Sequence, residues 1–89
     1  MISYDEAKRL SNIEKHGIDF VGAETVFTNF HITQEDCRET YSETRFVTIG
    51  VLNGIVVVAH TPRNDCDHII SIRKAEKHEQ KYYWAHYPH

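Results

Sequence analysis

The sequence predicts an α+β fold: two N-terminal helices, then a small antiparallel sheet of three to four strands, then one C-terminal helix. Three observations lead there. Apolar residues recur at helical spacing near the start of the chain. Two β-branched runs flank Asn53-Gly54, a hairpin signal. Good helix formers run without a breaker over residues 74–84. The 89 residues, 40% apolar and 26% charged, suit a single folded domain over 1–89 and leave no room for a second core.

Each element has its own signals. Ser3 and Glu6 stand at capping-box spacing, with Asp5 a rival N-cap for the first helix. Ala7, Leu10, Ile13 and Gly17 form an apolar stripe, and Lys8, Asn12 and Lys15 a polar one beside it. Gly17 suits the left-handed position after the helix end. Asp19 is expected to cap a second, shorter helix in which Phe20, Ala23 and Phe27 share a face. Residues 30–33 read as a short strand and the polar residues 34–44 as a loop. Residues 45–52 and 55–61 read as paired strands around a two-residue type I′ turn at Asn53-Gly54. Pro62 is expected to stop the second of them, 62–67 to turn, and 68–73 to form the next strand.

The hairpin register assigns side chains to faces. With Leu52 opposite Ile55, Val47 falls opposite His60, so Arg45 and His60 are expected on one face near the open end. On a helical wheel, Arg73, Lys74, Lys77, His78 and Lys81 form a basic stripe.

Composition narrows the function classes. No apolar run nears the roughly 20 residues of a membrane span, and the N-terminus lacks a signal-peptide pattern. The expected location is therefore cytoplasmic, with no membrane partner. Cys37 and Cys66 read as free thiols, being too few for a disulfide scaffold and too far apart for a zinc signature. The seven histidines are scattered without ligand spacing, so neither a metal site nor an organic cofactor is expected. Phosphate-loop, dinucleotide and serine-hydrolase motifs are absent. The net charge is −3, but it is divided. Residues 1–44 carry four basic and nine acidic side chains, and residues 45–89 six basic and four acidic. The second half can offer a local basic face to phosphate.

The remaining chemistry is phosphodiester cleavage through the ribose 2′-hydroxyl. It needs a proton acceptor, a proton donor and cations at the phosphate. Arg73, Lys74, Arg63 and Arg45 are candidate cations, His60 the best-placed imidazole, and Glu43 a candidate base. Tyr83 is placed to stack on a base or to donate a proton. Each has a plainer reading. Glu43 and Arg45 make a surface ion pair, His60 a histidine at the edge of the core, and residues 74–81 a solvated helix face. On the residues alone both readings stay open.

The ordered blocks resemble a known family. The first is Tyr4-Asp5-x-x-Lys8-x-x-x-Asn12-x-x-Lys15-His16-Gly17-x-x-Phe20-x-x-Ala23. Then come Glu43-x-Arg45-Phe46-Val47-x-Ile49-Gly50 and Val57-Val58-x-His60-Thr61-x-Arg63. The last is Ile69-Ile70-Ser71-x-Arg73-Lys74-Ala75-x-x-x-Glu79-x-x-x-Tyr83. Together they resemble the BrnT family of toxins. The resemblance implies a RelE-like fold and a ribonuclease toxin of a type II toxin–antitoxin pair. It also implies a BrnA-like antitoxin with a ribbon-helix-helix part, through which the pair binds operator DNA. It implies that Arg73 holds the scissile phosphate, assisted by Lys74 and Arg63. His60 or Glu43 then moves the proton and Tyr83 positions the base. Arg45, Lys15, Lys77 and Lys81 are expected to contact the RNA.

Two departures stand out. Tyr4 replaces the family's usual tryptophan, and glutamates dilute the basic last helix. Two rival readings follow: a protein that binds the antitoxin without turnover, and a small metal-binding domain. The nuclease reading places Arg73 and His60 in one cradle, on one side of the molecule.

Overall fold

In the computed structural model, which describes residues 1–40 and 42–89, the chain runs β1 (Ile2–Tyr4), α1 (Glu6–His16), α2 (Glu24–Thr28), β2 (Ile32–Glu35), β3 (Phe46–Val51), β4 (Ile55–Arg63), β5 (Cys66–Lys74) and α3 (Lys77–His86). The architecture is α+β, but the sheet has five strands rather than three to four, in the order β1-β5-β4-β3-β2. It is also mixed, because β1 pairs parallel with β5. Ser3 belongs to that strand and caps nothing. Asp5 is the N-cap, its carboxylate accepting from the Lys8 amide at 3.2 Å. Gly17 ends α1 at φ 69°, as its lack of Cβ permits.

The first helix differs from expectation in which side it buries, whereas Phe20 and Ala23 of the second segment are buried as expected. Leu10 is 54% exposed and Ile13 36%, whereas Asn12 is buried. Asn12 Nδ2 donates to the carbonyls of Ile18 and Ile72, and its Oδ1 accepts from the Ile72 amide. A buried amide with three bonds thus pins α1 to β5. Asp19 caps a turn, accepting from the Val21 amide at 2.9 Å, and α2 begins only at Glu24, after Gly22 at φ 91°. The strand expected over 30–33 forms at Ile32–Glu35. The loop expected over 34–44 includes residue 41, which lies outside the described residues.

The β3–β4 register is shifted by one residue from the expected one. Val51 pairs with Ile55 and Phe46 with His60, and the loop holds three residues, Leu52, Asn53 and Gly54. A shift of one reverses the β3 faces, so Arg45 does not share a face with His60. The cause is packing. A Cβ at position 50 would stand 2.7 Å from Val26 Cγ1, so Gly50 is the β3 residue that lets α2 approach. That puts Gly50, Thr48 and Phe46 on the helix side. Pro62 does not end β4, which continues to Arg63. The tight two-residue turn falls at Asn64-Asp65, both with positive φ. The last helix starts at Lys77 behind a capping box of Glu76 and Glu79, so Arg73 and Lys74 lie in β5 and not on the helical stripe.

The core lies between one sheet face and the N-terminal helices. Phe20, Ala23, Val26, Val56, Val58, Ile69 and Ile72 fill it, with Ile2 and Tyr4 packed at its margin. The opposite face stays open, with α3 along one end.

Candidate functional site

Strand alternation selects what the open face displays. Val47, Ile49, Val57, Ala59, Ser71 and Arg73 line a groove of about 510 Å³ together with His78, Glu79 and Tyr82 of α3. The floor is apolar and the polar groups stand at its ends.

At the α3 end, Arg73 and Glu79 form two parallel bonds of 2.8 Å, and Arg73 Nη1 also donates to the Lys74 carbonyl. Glu79 additionally accepts from the Glu76 amide at 2.8 Å. The Arg73 guanidinium holds the Glu79 carboxyl down to about 2. Tyr82 Oη accepts from Gln34 Nε2 at 3.0 Å. Beyond Arg73, Lys74 joins Lys15, His16 and Glu76 around a shallow depression of about 480 Å³. Lys77 and Lys81 stand exposed on α3.

At the opposite end, the hairpin end beside the β4–β5 turn at Asn64-Asp65, Arg63 Nη2 pairs with the Glu43 carboxylate at 3.1 and 3.3 Å. Next to it, Ser3 Oγ is hydrogen-bonded to His68 Nδ1 at 2.9 Å, across the β1–β5 pairing of these two residues. Burial, then Arg63, lower the His68 pKa. Arg45 is half-buried at the start of β3, beside Glu43.

The cradle joining Arg73 to His60 does not exist. His60 is 3% exposed and lies on the helix side, its ring against Phe27 and Phe46. Its Nε2 is 2.6 Å from Thr48 Oγ1, and its Nδ1 is 3.3 Å from Asp67 Oδ1 without hydrogen-bond alignment. Burial lowers its pKa, against the opposing pull of Asp67. Tyr83 is 1% exposed, its hydroxyl donating to the Phe30 carbonyl at 2.9 Å, so it fastens α3 rather than facing a nucleobase. Arg63 and Arg73 share the open face but not one phosphate. Val57 opposite Arg73 and Arg63 opposite Cys66 put six strand steps between them, about 20 Å.

Of the polar residues on the face, His68 and Tyr82 were not among the expected site residues, Ser3 was read only as a helix cap, and His78 only as part of a basic stripe. His68 stood in the expected 68–73 strand beside Ile69, which the structure buries, so its alternation was legible; its place next to Ser3 was not, because it depends on β1.

Among the described residues, Glu76, His78 and Glu79 bring ligand-type atoms within 4.8 Å of one another. Both Glu79 oxygens accept from Arg73, so a cation there would sit against the guanidinium charge. No helix among the described residues is long and apolar enough to cross a membrane.

A sheet sealed by helices on one side and edged with cations on the other suits a protein that handles an extended anionic strand. The model of a family described as the ribonuclease toxin, BrnT, of type II toxin–antitoxin systems matches residues 4–79. The class is therefore that of ribonuclease toxins, with an antitoxin as partner and RNA as target. The 1.1 Å crystal structure of the Brucella abortus ribonuclease toxin, BrnT, superposes with a TM-score of 0.62 at 31% identity, covering 85% of this chain and 96% of that one. Among curated proteins, none matches the sequence. The chain belongs to the BrnT family.

Proposed function

We propose that residues 1–89 act as one domain, a cytoplasmic endoribonuclease toxin that cleaves RNA without a metal. The strand lies along the open face between Arg63 and Arg73, with Lys74 and Lys15 extending the track past Arg73. A BrnA-like ribbon-helix-helix antitoxin silences it by covering this face and carries the pair onto operator DNA. One observation carries this reading: the face left open by the helices holds arginines at both ends of an apolar floor. Arginines replace a metal as the source of positive charge at the phosphate.

The test is total RNA incubated with the purified chain in a chelator. The wild type degrades it. Val47→Glu, which sets a carboxylate on the half-buried floor, stops degradation at a temperature where its melting curve shows it folded. Intact RNA with the wild type, or cleavage abolished by the chelator, overturns the reading.

A second reading has support of its own. Glu79 neutralises Arg73 and the net charge is −3, which favours a chain that binds the antitoxin without turnover. The same RNA assay separates the two.

A further inference from the structure

The open face has two candidate sites for the reacting phosphate, and they differ in what their cations are already doing. Arg73 is held by Glu79 through two short bonds, and the Glu79 side chain is only 16% exposed. Arg63 meets Glu43 through one nitrogen at 3.1 Å, with side chains 46% and 36% exposed. A phosphodiester can take the place of Glu43 far more readily than that of Glu79.

The hairpin end also holds an oriented imidazole. Ser3 occupies Nδ1 of His68, and Nε2 makes no hydrogen bond among the described residues. Thr61 is directly opposite His68, and Arg63 is its diagonal neighbour across the β4–β5 ladder, about 7–8 Å away between Cα atoms. Thr61 itself is buried, its hydroxyl donating to the Thr44 carbonyl, and at a diagonal spacing a guanidinium and an imidazole can reach the same phosphate group from the solvent side. The charges that act on His68 come from Arg63 on β4, Glu43 before β3, Asp5 ahead of α1 and Lys8 on α1.

We propose that the scissile phosphate sits at this end, that His68 is a catalytic residue and that Ser3 is its positioning residue. The proposal rests on the reading of the chain as a metal-independent ribonuclease. In the step, His68 Nε2 takes the proton of the attacking 2′-hydroxyl. The O2′–P bond forms and the P–O5′ bond breaks. The leaving 5′-oxygen takes a proton from water, and the resulting hydroxide recovers the proton from the imidazolium. The products are a 2′,3′-cyclic phosphate and a 5′-hydroxyl. Arg63, released from Glu43, holds the non-bridging oxygens. Burial and Arg63 both favour the neutral ring, the form a base requires.

The experiment measures cleavage of a short RNA oligonucleotide by the full chain across pH 4–9. The wild type is expected to show an acid limb that reports a single deprotonation. His68→Gln should lower the rate about 100-fold and remove that limb, and added imidazole should restore part of the rate to His68→Gly. Ser3→Ala, which keeps the imidazole, should lower the rate several-fold and move the limb, with Ser3→Thr recovering both. His89→Gln is the control for loss of an exposed histidine. Wild-type rate and pH profile in a folded His68→Gln overturn the proposal. If that variant does not fold, an unmoved limb in Ser3→Ala and no imidazole rescue in His68→Gly overturn it. A wild-type chain that leaves RNA intact overturns the nuclease reading, and this proposal with it.

Discussion

The two ends of the open face carry the same kind of pair, an arginine and a glutamate, in opposite conditions. At the α3 end the pair is bidentate, short and partly buried, and Glu79 also closes the capping box of the helix. At the hairpin end the pair is monodentate in its arginine and largely solvated. The lesson is that an arginine on a candidate site counts as a substrate contact only when its present partner is replaceable. Arg73 fastens α3 to β5 first. Arg63 is the cation the solvent side can recruit.

Four measurements break or sharpen this contrast. The largest effect is expected for Arg63→Ala, which should slow RNA cleavage about 100-fold, roughly 3 kcal/mol of transition-state stabilisation, with an unchanged denaturation midpoint. Equal cleavage by wild type and variant erases the functional half of the contrast. Next, Glu79→Gln should cost about 2 kcal/mol in urea unfolding, since it loosens charge-assisted bonds in a partly buried site. The corresponding Glu43→Gln should cost less than about 0.5 kcal/mol. Similar losses at the two ends remove the structural half.

The acid response should follow the same division. The Glu79 carboxyl is held at about 2, below its ordinary 4.5. Folding therefore favours the carboxylate. The stability it contributes is complete above about pH 4.5 and is lost as the pH falls towards 2. Acid unfolding followed by Trp84 fluescence should be steeper over this window in the wild type than in Glu79→Gln, and identical curves count against the fastening role. A smaller loss than that of Glu79→Gln is expected for Tyr83→Phe, about 1 kcal/mol for the bond to the Phe30 carbonyl, with cleavage unaffected. A large loss of cleavage in that variant restores Tyr83 to the reacting site.

Much of the fold was legible because local rules decided it. Asp5 and Gly17 bound α1 by capping chemistry, and β-branched runs marked β3 and β4. What was not legible depended on tertiary neighbours. β1 has three residues, too few for a period, and its Ser3 imitates a cap. The β3 register was settled by the approach of Val26 to Gly50, which no local turn rule contains. The site divides in the same way. Glu43 and Arg63 do meet on the open face, but His60 and Tyr83 carry suggestive chemistry into the interior. Residue type names a possible reaction; only strand alternation says which side of the sheet it is on.

The Asn12 clamp has one more effect. β1 accompanies β5 only as far as Ile69, so three residues later the flank of β5 has no strand beside it. The Asn12 amide supplies there both the donor and the acceptor that a longer β1 would have given the backbone of Ile72. A side chain thus finishes the ladder and withholds a ready template from a second molecule. Asn12→Leu would keep a helix former in place and reopen that flank, and concentration-dependent self-association is the trace it should leave.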